Sequence, residues 1–152
     1  MGREAGEARI LSEIGFVHLH VHSSYSLLEG AMTVSTLAKR AAADGQPALA
    51  LTDTDTLFGG LEFSEKLAGS GLQPIAGVQL SVDFADDSEG GRKPAQPQRL
   101  PHIVLLAMDE AGYGNLMKLV SEAALASGGA GQPITTVERL SSYNGGLIAL
   151  TG

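Results

Sequence analysis

Short apolar runs that alternate with stretches of helical period constrain the fold of this chain more than any other feature. "ALALT" at 48–52 is almost wholly apolar, the mark of a strand buried on both faces. "PIAGVQLSVDF" at 74–84, "HIVLLA" at 102–107 and "GLIAL" at 146–150 read as further strands. Between them the spacing predicts helices. The first opens at Thr33 as N-cap, places Val34, Leu37, Ala38 and Ala41 on one face, and closes at Gly45. The second covers roughly 60–68, with Glu62 and Lys66 one turn apart. The third is capped by Asp109 and carries Leu116, Leu119, Val120 and Ala123, and a short fourth lies near 136–143. "FVHLHVH" at 16–22 alternates strictly and reads as the first strand. The order β-α-β-α-β-β-α-α-β implies an α/β fold with a largely parallel sheet, barrel or doubly wound, with Phe16–His22 at one end of the strand order.

The chain has 152 residues, of which 43% are hydrophobic, enough for one domain with its own core. Residues 1–14 read as an N-terminal extension, 15–152 as the domain, and 85–101 as a polar loop within it. The last strand has no crossover helix after it, so the chain is expected to be part of a longer protein. A net charge of −7 without a Lys/Arg cluster argues against a nucleic-acid groove in this segment. The lack of cysteine excludes a disulfide scaffold, a cysteine zinc finger and a thiol nucleophile. No apolar run reaches membrane-spanning length and the N-terminus is not a signal peptide, so a cytoplasmic protein with no membrane partner is expected.

His18, His20 and His22 occupy alternate positions, and the chain has 4 histidines in all. Neighbours i and i+2 on a strand lie about 6.5–7 Å apart on one face, close enough for two imidazoles to share a metal or to serve two. Further candidates sit at later strand ends: Asp53 and Asp55 after "ALALT", Gln79 within "GVQL", His102 at the start of "HIVLLA", and Glu29 in the loop after the histidines. Each also has a plain structural reading. The aspartates can cap a turn, His102 can be an ordinary strand residue, and Gln79 is a poor ligand for a hard cation.

"FVHLHVHSSYSLLEGA", "PALALTDTDTLFGGLEFSEKLAGSGLQPIAGVQL", "HIVLLAMDEAGYGNLMKLVSEA" and "GLIALTG" come in the order found in the PHP (polymerase and histidinol phosphatase) domain of bacterial DNA polymerase III alpha subunits, which this chain resembles from Phe16 to Gly152. The resemblance implies the N-terminal part of a distorted seven-stranded, TIM-like β/α barrel, with polymerase domains downstream. In active PHP proteins the motifs hold up to three metals and hydrolyse phosphoesters. By that resemblance His20, His22, Glu29 and His102 are the metal-ligand candidates, while His18 is outside the set. Three positions depart from the pattern: Glu29 stands for an aspartate, Thr54 for a histidine and Gln79 for a glutamate.

Thr54 offers no imidazole and Gln79 no charge, so the site is expected to be vestigial, with weak zinc or manganese binding at most. The function implied is that of a non-catalytic PHP segment within a replicative DNA polymerase, which itself transfers nucleotides with magnesium. The segment would stabilise the polymerase and dock a proofreading exonuclease subunit. Its partners would be the rest of that chain, other replicase subunits and, through the parent, DNA. The alternative is an active metal-dependent phosphoesterase, either a 3′–5′ proofreading nuclease or a pyrophosphatase, and a fainter one is a stand-alone phosphatase.

Overall fold

The structure, a computed structural model, describes residues 15–84, 100–128 and 131–150. Its contacts divide the chain into two units, Met1–Leu51 with Phe58–Ala76, and Thr52–Leu57 with Gly77–Gly152.

In the first unit, helix α1 (Val34–Ala43) begins where Thr33 Oγ1 accepts the Thr36 N–H at 3.3 Å, satisfying one of the helix's unpaired donors. It buries Val34, Leu37, Ala38 and Ala41 and ends at Gly45, whose φ of +67° suits a residue without a Cβ. Strand β1 (Ala48–Leu51) follows, then helix α2 (Gly60–Gly69), which buries Phe63 and Leu67. β1 pairs in parallel with the first half of β2 (Gln73–Asp83), from Ala48 opposite Gln73 to Leu51 opposite Ala76. The apolar faces of α1, α2 and β1 form one core, against which Val21 packs. Truncating Phe63 to alanine there costs about 3–5 kcal/mol, since it is fully buried.

In the second unit, the latter half of β2 pairs antiparallel with β3 (His102–Ala107), from Gly77 opposite Leu106 to Ser81 opposite His102. β3 pairs antiparallel with β5 (Leu147–Leu150), and the two-residue β4 (Thr135–Thr136) pairs in parallel with β2 at Val82 and Asp83. Helix α3 (Glu110–Ala126) and the short α4 (Val137–Ser142) complete the unit. Val78, Leu80, Leu105, Leu116 and Leu119 make its core. Asp109 caps α3, its Oδ1 accepting the Gly112 N–H at 2.8 Å. A Cβ at Gly112 would collide with the backbone carbonyl of Gly146, so glycine lets the helix start seat against the turn before β5.

Every expected helix is present, and the strands at 48–52, 74–84, 102–107 and 146–150 fall within two residues of their expected bounds. Two expectations change. Residues 16–22 are not a regular strand: the Ala50 N–H donates to the His18 carbonyl at 2.9 Å, but no continuous ladder forms, so no Phe16–His22 strand ends the order. The pairing is mixed, not largely parallel. β2 and β3 have no helix between them and therefore return antiparallel, while β5 follows two helices instead of one crossover. The sequence also gave no sign of β4, a pair of residues too short to show alternation. The expected N-terminal extension at 1–14 and most of the loop at 85–101 lie outside the described residues.

Candidate functional site

The candidate residues fall into both units. In the first, the alternation of 16–22 survives in part without a strand. Val17 and Val21 are half-buried, whereas Leu19 is 38% exposed, on the apolar side where burial was expected. His18 and His20 are exposed and His22 is half-buried. The His20 and His22 rings lie edge to face with centroids 5.1 Å apart. The turn that follows brings Glu29 back to the histidines. Ser26 N–H donates to the Ser23 carbonyl and Gly30 N–H to the Ser26 carbonyl, which folds 23–30 into a tight loop. Gly30 is required in it, because a Cβ there would overlap the Ser23 carbonyl. As a result Glu29 Oε2 lies 3.4 Å from His22 Nδ1, an ion pair whenever the imidazole is protonated. The opposite ring nitrogen, His22 Nε2, is buried with no hydrogen-bond partner among the described residues. His18 is turned elsewhere: its ring packs on Phe16 and it lines a pocket with Val21, Met32, Leu37, Arg40 and Leu49.

In the second unit, Thr54 and Gln79 meet. They form an isolated parallel bridge, and Gln79 Nε2 donates to Thr54 Oγ1 at 3.1 Å. Gln79 is buried and Asp53 beside it is 1% exposed. Asp55 adopts a left-handed backbone with φ of +55°. Its carboxylate accepts the Ser81 N–H at 3.0 Å and the Ser81 hydroxyl at 3.1 Å. Ser81 Oγ in turn accepts from Gln132 Nε2 at 2.9 Å. His102 starts β3 opposite Ser81 and is exposed. Ser81 and Gln132 were not anticipated as members of this network. The readable signal for Ser81 was its place two residues beyond Gln79, on the same side of β2.

A PHP centre would require these positions to present converging imidazoles and carboxylates. His22, with its buried Nε2 and neighbouring His20, has the chemistry of a single ligand pair. The donors at the Thr54–Gln79 bridge do not fit a metal centre. Thr54 and Gln79 are neutral and bonded to each other, and the Asp55 carboxylate is engaged by Ser81. Among the described residues no group of three or more His, Asp or Glu side chains is arranged to hold an ion.

Comparison with known proteins bears on the identity of the chain. It is 41% identical over 138 residues to DNA polymerase III subunit alpha of Caulobacter vibrioides, a match covering 91% of this chain and 12% of that protein. It is 40% identical over 144 residues to the same subunit of Escherichia coli K12, again covering 12% of it. The chain thus spans about an eighth of the length of these relatives. Among solved structures, an amidohydrolase from Chromobacterium violaceum, with bound sulfate and no metal, aligns at a TM-score of 0.53 and 30% identity, over 72% of this chain and 33% of that one. The α/β class expected from the sequence holds. A family model for the PHP domain matches residues 18–152, and the chain belongs to that family.

Proposed function

We propose that this chain is the PHP segment of a replicative DNA polymerase and that it is hydrolytically inactive. The observation that carries this reading is the Thr54–Gln79 hydrogen bond, which sets a hydroxyl and an amide where a phosphoesterase needs imidazole and carboxylate ligands. Generating hydroxide and neutralising a phosphoester require metal ions held by anionic or imidazole donors, and a hydroxyl tied to an amide supplies neither. The two alpha-subunit relatives support the polymerase context, since each is matched over more than nine-tenths of this chain. In this reading nucleotide transfer, with its magnesium, belongs to downstream domains. The PHP segment stabilises them and offers a surface to a proofreading exonuclease subunit and other replicase subunits in the cytoplasm. DNA is contacted by the parent protein, consistent with the net charge of −7 on this segment. No helix among the described residues is long and apolar enough to cross a membrane.

One observation favours the alternative of an active phosphoesterase: among the described residues His22 Nε2 is buried without a hydrogen-bond partner, beside His20, as a metal ligand would be. A single experiment separates the two. The chain and its full-length parent are dialysed against zinc or manganese, freed of excess metal, and assayed on a p-nitrophenyl phosphodiester, on pyrophosphate and on a primer with a mismatched 3′ end. The proposal expects less than one ion per chain and no hydrolysis by either protein, with primer extension by the parent. Two or three retained ions together with hydrolysis lost on His22→Ala would overturn it.

A further inference from the structure

Within the second unit, the segment 52–57 is held on β2 by ties that run in register. The backbone supplies two of them: the Gln79 N–H donates to the Asp53 carbonyl at 3.1 Å, and the Asp55 N–H to the Gln79 carbonyl at 2.8 Å. The Thr54–Gln79 side-chain bond spans this same bridge. Next along the strand, Asp55 clasps the N–H and the hydroxyl of Ser81 together, and Gln132 secures that hydroxyl from the far side. The left-handed backbone of Asp55 is unfavourable for a residue with a Cβ, and a carboxylate accepting two bonds at about 3 Å offsets that strain.

We propose that Thr54–Gln79 and Asp55–Ser81–Gln132 together form a cation-free staple, which does by neutral and charge-assisted hydrogen bonds the positioning that an ion would otherwise perform, and which excludes ions from this place. Exclusion follows from the donors. The Thr54 hydroxyl is taken up by the Gln79 amide, which presents N–H, not a lone pair, on that side. Asp55 would have to release Ser81 before it could ligate, leaving a fully buried hydroxyl to find another acceptor. Burial of Gln79 also penalises any charge introduced there. The inference rests on the reading of this domain as lacking a metal centre, and it goes further by naming what holds the segment instead.

The test is amide hydrogen exchange at Asp55 and Gln79 in the full chain, with and without EDTA. EDTA is expected to leave both rates unchanged. Thr54→Val should speed both by about three- to tenfold, the loss expected of one net hydrogen bond. Thr54→Ser, which keeps the hydroxyl, should restore slow exchange. Gln79→Leu combined with Thr54→Val should add little to either alone, because both remove the same bond. Wild-type exchange that accelerates in EDTA to the Thr54→Val level would overturn the staple and show that an ion holds the segment. Exchange unmoved by Thr54→Val would overturn it too. Detection of phosphoester hydrolysis with exchange indifferent to EDTA would sink the proposed function and leave the staple standing.

Discussion

His22 turns Nδ1 towards Glu29 Oε2 at 3.4 Å and keeps Nε2 buried without a hydrogen-bond partner among the described residues. The contact fixes the orientation of the ring through Nδ1. Glu29 therefore acts on His22, in this geometry, as a neighbour that fixes the ring.

Restoring the missing donor types should restore ion binding before it restores chemistry. Thr54→His with Gln79→Glu replaces a neutral pair on one bridge by an imidazole and a carboxylate. Calorimetric titration of zinc or manganese should show affinity raised at least about tenfold, or roughly 1.4 kcal/mol, over the parent chain. Hydrolysis is expected to stay absent, because neighbours that orient ligands are not supplied by the two changes. Equal, negligible binding in both proteins would show that something other than these two side chains closes the site.

Gln79→Glu alone should impose a stability loss that depends on pH. Burial raises a carboxyl's pKa above the ordinary glutamate range, and Asp53 and Asp55 on the adjoining segment add like charge, while β3 opposes it with uncharged Val104. With the folded pKa above the unfolded one, the protonated form is favoured in the fold. The penalty is then small below the ordinary glutamate pKa and grows as pH rises through the raised one. Denaturant unfolding against wild type should show a deficit of about 1–3 kcal/mol at pH 8 and under about 1 kcal/mol at pH 4. A deficit equal at both pH values would mean that lost shape, not charge, is what the site resents.

Tyr143 should ionise later than a free tyrosine. Its hydroxyl donates to Glu122 Oε1 at 2.6 Å, and that bond, followed by the glutamate's charge, holds its pKa above the ordinary tyrosine value. The raised pKa belongs to the folded state, so the bond's contribution is intact below the usual tyrosine pKa and is lost as pH climbs through the higher one. Ultraviolet titration should resolve this lag, and Glu122→Gln should bring Tyr143 down towards the ordinary tyrosine value. No change on that substitution would contradict the assignment.

Thr135→Val should be neutral or stabilising, by up to about 1 kcal/mol. Thr135 is fully buried in β4 and its Oγ1 has no hydrogen-bond partner among the described residues. A methyl of similar shape removes the cost of a buried, unsatisfied hydroxyl and suits a strand. A loss above about 1 kcal/mol in the denaturation midpoint would reveal a bond that the hydroxyl makes in solution.

Helix positions were legible because caps and apolar spacing are local: Thr33 and Asp109 each accept a backbone N–H at the start of the helix they introduce. Strand direction was not, because parallel or antiparallel pairing depends on how many helices intervene and on which edge remains open. The alternation of 16–22 was visible, yet alternation states only which way side chains point and not whether a ladder will form. At the site, the types Thr54 and Gln79 argued against hydrolysis before any geometry was known. That they bond to each other required the register of β2 against 52–57, which no local pattern encodes. Ser81 and Gln132 stayed hidden for the same reason, since their contact links positions far apart in the chain.

The neutral bond between Thr54 and Gln79 also has a historical consequence. If an ancestor carried histidine and glutamate at these positions, the way back is uphill at each single step. Thr54→His alone breaks the bond and gains one donor with no carboxylate beside it, and Gln79→Glu alone buries a charge with nothing to neutralise it. Only the joint change escapes both penalties, so a lineage that has exchanged ligands for this bond is held to the exchange as by a ratchet.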